Sequence, residues 1–473
     1  MGHPGPLGLG ISAVSMRSGE SGNRLATVRK KLDALINWER RDRSAGMRVS
    51  LEPASDLVRS MGLSRLPFRC VHVTGSKGKG SVAALIAEGL RAAGFRVGRY
   101  GSPHVEALNE RVVLDGKPIE DDLLADAIES ALAARERAIA DQTPASEASW
   151  FDLITAAGLD AMAASGVEWG VIEVGLGGRL DSTNVVSPEL CVITQIELEH
   201  TQVLGPTLAH IAREKAGILK AGASFVCGLA APDDVDVDAQ RASAPSEGLE
   251  SHLAQLSPAQ VIAHAAESLG IEAHFVGSCT RTTISERNLT LARAALAALG
   301  DRGHRAVDGQ LVGPQLLTAQ RVSAARLPGR LEWRRRGSNT LLLDGAHVAS
   351  SLRLVLGEFD EGPLGAEECA SEVVLLSLGK DKDLRGMLGA LADGAARKLV
   401  CTSIQSGIQV DAEELRSAAQ SAGIEAVAIQ EPEQALIHAC ELAGPSNRVL
   451  VTGSLYLVGA VRALTEEFRA RAR

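Results

Sequence analysis

Two rhythms alternate along the chain. Short apolar runs are followed by longer stretches in which apolar residues recur at helical spacing. The clearest pair begins with Val71, His72 and Val73, an apolar run that ends in the turn Gly75-Ser76-Lys77-Gly78-Lys79-Gly80-Ser81. Behind the turn, Val82, Leu85, Ile86, Leu90 and Ala93 share one helical stripe. Upstream, Val28, Leu32, Leu35 and Ile36 predict a helix over 25–38, and residues 56–61 a second one. Downstream, the pattern predicts a strand over 95–100, an Ala-rich helix over 121–139 and a helix over 150–164. A buried strand through Val171, Ile172 and Val174, a strand over 190–194 and a helix beginning at Arg287 follow. After residue 330 the alternation resumes, with strands expected at 340–343, 372–378, 398–402, 426–429 and 448–452 and helices between them. The fold class is therefore α/β. An N-terminal P-loop-type domain is followed by a smaller Rossmann-like C-terminal domain with its own doubly wound sheet.

Composition narrows this picture. A chain of 473 residues has room for two or three domains, each with its own core. The formal net charge of −9 argues against nucleic-acid and anionic-membrane partners, so an anionic ligand needs a local site. No apolar run is long enough to span a bilayer. Aromatic residues make up only 3%, too few for base-stacking platforms. Seven scattered cysteines without a C-x-x-C pair read as reduced thiols of a cytoplasmic protein. Residues 1–23, rich in Gly and Ser, read as a disordered tail, and no basic segment precedes their short apolar stretch to make a secretory signal. Residues 232–258, acidic and rich in Ala and Ser, read as a surface excursion.

Candidate chemistry concentrates at the ends of the expected strands. Strand, glycine turn and helix together cradle phosphate. Glycines let backbone N–H groups converge, the helix N-terminus adds partial positive charge, and Lys79 can reach the outer phosphates. The Walker spacing is not met, because Gly75 is too close to Gly78 and Gly80 separates Lys79 from Ser81. On spacing alone, a plain glycine turn on an α/β sheet stays open. Glu173 lies inside an apolar strand, where a carboxylate is costly unless it binds a cation or pairs with a base such as arginine. Both readings stay open for it. Pro103 favours extended backbone before it and places Ser102 and His104 in a loop after a strand.

The order of these residues resembles a known family. The loop is similar to the G-T-N-G-K-G-S loop of the folylpolyglutamate synthase and dihydrofolate synthase family, relatives of the Mur ligases. Ser102-Pro103-His104 with Glu110-Arg111 follows, then the run from Glu173-Val-Gly-Leu-Gly-Gly through Arg179-Leu-Asp-Ser-Thr-Asn184. Next come His200-Thr201, Ile211-Ala-Arg-Glu-Lys215, Leu327-Pro-Gly-Arg330 and Asp344-Gly-Ala-His347. The resemblance runs from about Leu25 to the C-terminus. It departs at Lys77, which stands for an asparagine, at Gly101 for a threonine and at Val348 for an asparagine, and Val49-Ser-Leu-Glu-Pro53 stands where an L-G-L-x-R stretch is usual.

The resemblance implies a Mur-ligase-like ATP-binding domain over residues 24–326 and a C-terminal glutamate-ligase domain over 331–473, joined at the Pro328-Gly329-Arg330 hinge. It implies ATP-dependent addition of L-glutamate to a pteroate or folate carboxylate through an acyl phosphate, releasing ADP and phosphate. Whether the product is dihydrofolate, a longer polyglutamate tail or both is left open. Lys79, His200 and Lys215 are the implied catalytic residues. Gly75, Ser76, Lys77, Gly78, Lys79, Gly80 and Ser81 would hold the nucleotide, together with Asn288, Arg330, Asp344 and His347. Ser81, Ser102 and Glu173, with His200 and a carbamylated Lys215, would bind two Mg²⁺ ions. Phe151, Asp152, Leu180, Asp181 and Ser182 would face the pterin-bearing substrate. The partners expected are small molecules only (ATP, pteroate or folate, and L-glutamate), with no nucleic acid and no membrane, on a cytoplasmic monomer. Two alternatives are another amino-acid ligase of the Mur type and a nucleotide-binding homologue that has lost activity.

Overall fold

The computed structural model describes residues 12–39, 50–232, 255–277, 283–363, 372–393, 397–404 and 409–468, with backbone alone for 12–22. The first eleven residues and most of the expected 232–258 excursion lie outside the described residues.

The first helix, Ser12–Asp33, begins inside the stretch read as a tail. Its Gly and Ser content weakens helix propensity, but tertiary packing outweighs propensity. Leu25, Val28 and Leu32 are buried in the core shared with the helix Asp121–Asp141. Arg24 also reaches Asp126 and Glu129 of that helix, both at 2.6 Å.

The first sheet has eight strands: β1 (Arg69–Thr74), β2 (Val97–Tyr100), β3 (Val112–Leu114), β4 (Lys117–Pro118), β5 (Trp169–Glu173), β6 (Leu190–Ile193), β7 (Ser224–Cys227) and β8 (Ala273–Phe275). Their spatial order is β4-β3-β2-β5-β1-β6-β7-β8, with only β3 and β4 antiparallel to their neighbours. The central strands are apolar along their length because helices cover both faces. Helices Lys79–Ala92 and Ile284–Asp301 pack on one face, and Asp121–Asp141 and Trp150–Ala164 on the other. Gly89 permits close packing on the first face, since a Cβ there would lie 2.4 Å from Leu296 Cδ1.

From β1 the chain moves outward to β2, returns through β5, then crosses to β6 and β7. The carboxyl ends of β5, β1 and β6 therefore stand side by side at the point where the chain parts, the place where α/β sheets bind ligands. Register fixes this alignment: Val73 on β1 is paired with Glu173 on β5 and with Val192 on β6.

The second sheet has seven strands: β9 (Glu332–Arg336), β10 (Asn339–Leu343), β11 (Glu372–Leu376), β12 (Lys398–Cys401), β13 (Ala426–Ala428), β14 (Arg448–Thr452) and β15 (Glu466–Glu467). Their order is β13-β12-β11-β14-β10-β9-β15, with β9 and β15 antiparallel. The strand expected over 372–378 stops at Leu376 and the others end within a residue or two of expectation.

Between the sheets, Leu327 packs into the first core and Leu331 against the second. The backbone turns sharply here, with φ of +63° at Gly329 and +47° at Leu331. The helix Leu455–Arg462 of the second half lies directly on residue 105 of the first, where a Cβ on Gly459 would come within 2.2 Å of the Val105 carbonyl oxygen. Arg462 pairs with Glu106 at 2.8 Å and with Glu332 at 3.0 Å, tying that contact to the strand after the hinge. Among the described residues no helix is long and apolar enough to cross a membrane.

Candidate active site at the strand ends

β1 delivers the chain to Gly75 at φ +141° and then to Gly78 at φ +80°, the residue that caps the helix Lys79–Ala92. Close approach dictates both glycines. A Cβ on Gly75 would sit 1.8 Å from Thr194 Oγ1, and one on Gly78 would sit 2.4 Å from Asn288 Oδ1. Residues after β6 pin the turn. The Thr194 hydroxyl donates to the Lys77 carbonyl, the Ser76 amide donates to Gln195 O at 2.7 Å, and the Glu197 amide donates to Ser76 Oγ at 3.0 Å. The Gly75 carbonyl accepts from two ammonium groups, Lys79 Nζ and Lys215 Nζ, each at 2.9 Å. Positive charge is thus concentrated beside a helix N-terminus whose first amides have no intrahelical partner.

On the β5 side of the loop stands Glu173, 6% exposed. Burial pushes its carboxyl upward in pKa, while the charges of Lys79, Arg330 and Arg99 pull it back down. The Ser102 amide donates to Glu173 Oε2 at 3.3 Å, across a loop whose Ser102–Pro103 peptide is cis. Gly101 is accounted for here: a Cβ would lie 2.9 Å from Glu173 Oε2 and 3.0 Å from Arg99 Nη1. The carboxylate faces three cations but makes no ion pair within 4 Å among the described residues.

On the β6 side lie Glu199, His200 and Lys215. Lys215 is 1% exposed and pairs with Glu199 at 2.9 Å. Burial drives the Lys215 ammonium down to about 8, partly offset by Glu199. Burial alone would raise the Glu199 carboxyl, but the charges of Lys215, Lys79 and His200 hold it at about 2. His200 adopts φ +46° at the start of the short helix Thr201–Leu204. As an ammonium, Lys215 offers no lone pair to a metal, so its expected role as a ligand requires chemical modification. Among the described residues no group of three His, Cys, Asp or Glu side chains is gathered as a metal site. The expected ligands fall instead into two sets flanking β1, Ser102 and Glu173 after β2 and β5, and His200 and Lys215 after β6. Ser81 lies between them in the first turn of the helix after the loop.

The second sheet contributes from across the cleft. Asp344 follows β10, is 7% exposed, and accepts from the Leu331 and Ala346 amides, both at 2.9 Å. Burial raises its carboxyl, and Arg330 and Lys77 oppose the rise. Burial holds His347 well below its ordinary value, and the Lys77 and Lys382 charges push the same way. Its Nδ1 lies 3.0 Å from Gly345 O. Ser350, just beyond, donates to Glu197 Oε2 at 2.9 Å. Arg330 therefore neighbours Glu173, Asp344 and Lys77 together. Asn288 reaches the loop from the N-terminal turns of the helix Ile284–Asp301.

The five residues expected near a pterin behave unequally. The Ser182 hydroxyl donates to Asp152 Oδ1 at 2.5 Å, and Asp152 Oδ2 accepts from the Ser149 amide at 2.8 Å. Asp181 accepts from the Leu176 amide at 2.8 Å and from the Thr183 amide at 3.0 Å. These three side chains are buried; Ser182 and Asp152 bond each other, and Asp181 is held by backbone amides and the Thr183 hydroxyl. Phe151 and Leu180 keep partial exposure. Phe151 lies over Gly175, where a Cβ would come within 2.4 Å of its ring.

Glu199, Glu197, Thr194 and Arg99 belong to this site, and the sequence reading did not select them. Glu199 could have been suspected from its place beside His200. Thr194 and Arg99 carry no such signal, because their roles depend on register between strands distant in sequence.

Residues 329–455 match the family model described as "Mur ligase, glutamate ligase domain". The chain is 32% identical to the dihydrofolate synthase/folylpolyglutamate synthase of Mycobacterium tuberculosis, over 72% of this chain and 72% of that protein. It is 29% identical to the Bacillus subtilis protein of the same name, over 88% of this chain and 95% of that one. A 41% match to the Lacticaseibacillus casei folylpolyglutamate synthase covers 39% of this chain and 43% of that protein. Among solved structures, the M. tuberculosis folylpolyglutamate synthase complexed with ADP and AMPPCP superposes with a TM-score of 0.75 at 25% identity, covering 94% of this chain and 98% of that one. A Yersinia pestis bifunctional folylpolyglutamate synthase/dihydrofolate synthase, complexed with AMPPNP and Mn, gives a TM-score of 0.70 at 24% identity, covering 93% of this chain and 97% of that one.

Proposed function

The chain belongs to the folylpolyglutamate synthase and dihydrofolate synthase family of the Mur ligase superfamily and is an ATP-dependent ligase of that family; from this premise we propose how its residues divide the reaction. Residues 24–326 form the unit that binds nucleotide, and residues 331–473 form the unit that closes over it. A free carboxylate is a poor electrophile, so the γ-phosphoryl group of ATP passes to the carboxylate of a pteroate or folate substrate. The α-amine of L-glutamate then attacks the acyl carbon, the C–O bond to phosphate breaks, and the amine proton is lost. The products are the amide, ADP and phosphate.

This chemistry asks for positioning and charge neutralisation rather than a covalent nucleophile. The amides of residues 75–81, with Lys79 and Lys77, neutralise the β- and γ-phosphates. Asn288 and Arg330, with Asp344 and His347 from the second sheet, hold the rest of the nucleotide. Closure of the second half over the loop excludes water that would hydrolyse the acyl phosphate. Phe151 and Leu180 present the surface for the pterin-bearing substrate, and Asp152, Asp181 and Ser182 hold that surface rigid.

The donor sets suit a hard divalent cation in one place and conditionally in another. Ser81, Ser102 and the Glu173 carboxylate are oxygen donors that would hold one Mg²⁺. His200 would hold a second once Lys215 is carbamylated, because that reaction replaces an ammonium with a carboxylate-like group. The lowered value of Lys215, about 8, supports this, since CO₂ reacts only with the neutral amine. Bound Mg²⁺ would supply charge neutralisation and orientation to the phosphates. We place the enzyme in the cytoplasm, a reading supported by the buried free cysteines Cys70, Cys191, Cys227 and Cys401, and take it to act as a monomer.

The observation that carries this proposal is the Gly75 carbonyl, shared by Lys79 and Lys215 between Glu173 and Glu199. Purified chain with ATP, Mg²⁺ and labelled glutamate, offered dihydropteroate and tetrahydrofolate separately, should transfer label to both acceptors. Transfer to neither would remove the reading.

A further inference from the structure

Beyond the helix Lys79–Ala92 the face of the first sheet is open at β2 and β3, and it forms one wall of a crevice of about 280 Å³. Residues 324–328, Arg330 and Leu455 form the opposite wall. Strand alternation sends Gly98 and Tyr100 to the far face, where they meet Met162 and Thr155, and turns Val97 and Arg99 into the crevice. A guanidinium on an otherwise apolar sheet face is costly unless something compensates it. Burial lowers the Arg99 value, and only the more distant charges of Glu173 and Glu110 oppose that effect.

The acids that line the crevice are already engaged. Glu88 pairs with Arg91 and, at 2.8 Å, with Arg321. Glu110 accepts three backbone amides, from Val105, Glu106 and Ala107, at 2.7–2.8 Å. Glu173 belongs to the site described above. Arg99, Arg326 and Arg330 all line the same space, and among the described residues none makes a side-chain hydrogen bond or an ion pair within 4 Å. Guanidinium groups with unspent donors in a crevice call for a planar anion. The phosphate loop serves the nucleotide elsewhere, and the volume is small, below the range of about 300–1,000 Å³ that encloses a drug-sized ligand. An amino-acid-sized group fits that space. The crevice also begins at Gly80, Ser102 and Glu173, so it is continuous with the reacting end of the loop.

We propose that this crevice is a carboxylate subsite in which Arg99 and Arg326 hold a carboxylate of a glutamyl group while the reacting carboxylate lies at the phosphate loop. The inference rests on the ligase reading above and assigns part of its substrate recognition. The glutamyl group is either the incoming amino acid or the tail already present on a folate substrate, and kinetics separates the two sources.

The test uses the full chain with Arg99→Leu, Arg326→Leu and the double variant, each checked for an unchanged thermal midpoint. One lost charge-assisted contact should raise the relevant KM by about tenfold to a hundredfold, a larger factor than the accompanying fall in kcat. A rise confined to the KM of free L-glutamate assigns the subsite to the incoming amino acid. A rise confined to triglutamylated folate, absent with the monoglutamate, assigns it to the tail. Arg99→Lys should recover much of the loss, which a merely structural role would not require. Unchanged KM values for both glutamyl substrates, or a change in the KM of ATP alone, would overturn the proposal. If the wild-type chain shows no ligation, the ligase reading fails, and calorimetry with γ-linked triglutamate then tests the crevice by itself. Heat of binding lost in the double variant sustains the crevice, and no binding to the wild type refutes it.

Discussion

The carboxyl ends of the two sheets share a plan and differ in what their polar groups have left to give. In each sheet a strand inserted late, β5 or β14, returns beside the first parallel strand, β1 or β10. In each a buried carboxylate stands where a strand ends, Glu173 or Asp344. Asp344 accepts two amides at 2.9 Å, from Leu331 and Ala346, and so braces the hinge. Glu173 has one long amide contact at 3.3 Å and faces Lys79, Arg330 and Arg99. The turn after β1 has two glycines forced by contacts with Thr194 and Asn288, and the turn after β10 has one, Gly345, forced by contact with Leu455. A saturated carboxylate holds structure, and an unsaturated one among cations is available for chemistry. The same topology thus gives one half the reacting groups and the other half the closing surface.

The largest effect expected from this contrast is at the loop. Lys79→Ala should lower kcat by on the order of a thousandfold, the scale for removing a charge-stabilising donor from a transition state. Its thermal midpoint should stay close to wild type, because the ammonium is bound only to a loop carbonyl. Near-normal turnover in a folded variant would place the phosphates elsewhere.

Lys215→Ala should come next, at about a hundredfold or more, partly restored by a short carboxylate in the medium. Activation by bicarbonate should follow pH in a defined direction. The folded value of Lys215, about 8, lies below its ordinary 10.5. The neutral amine therefore becomes the major form as pH rises through about 8 rather than above 10. Enzyme stripped of CO₂ should regain activity faster across that window, and recovery independent of pH between 7 and 9 would count against carbamylation.

Glu173→Gln and Asp344→Ala compare the two carboxylates directly. Glu173→Gln removes a buried charge without changing shape, so stability should hold or rise while kcat falls about a hundredfold. Asp344→Ala leaves two amides unsatisfied, which should cost about 1–3 kcal/mol of stability and raise the KM of ATP. Equal behaviour of the two variants would erase the distinction drawn here. The smallest effect is expected at Arg416, whose partner Glu413 lies on an exposed helix face; Arg416→Ala should leave the thermal midpoint and the activity unaltered.

Much of this was legible in the sequence because it is local. The strand–glycine–helix unit, the helix Trp150–Ala164 and the strand Arg448–Thr452 follow from periodicity and turn residues. What escaped depends on distant pairings. Arg99 reads as an ordinary strand residue until β2 is placed beside β5, and Thr194 gains meaning only against Gly75. The resemblance marks Asp152, Asp181 and Ser182 as binding residues, and the bonds of Ser182 to Asp152 and of the Thr183 amide to Asp181 are visible only once the chain is folded. The helix expected over 25–38 begins earlier, at Ser12, and that first part escaped because its composition is unfavourable and the described support at Arg24 comes from the neighbouring helix.

The most direct measurement follows oxygen. A pteroate substrate labelled with ¹⁸O in its reacting carboxylate should, after one turnover with ATP and L-glutamate, deliver one ¹⁸O atom to the released phosphate. That transfer requires a bond between the carboxylate oxygen and the γ-phosphorus. Phosphate free of the label, formed alongside ligated product, would contradict the acyl-phosphate route on which the roles of Lys79, Glu173 and the closing half depend.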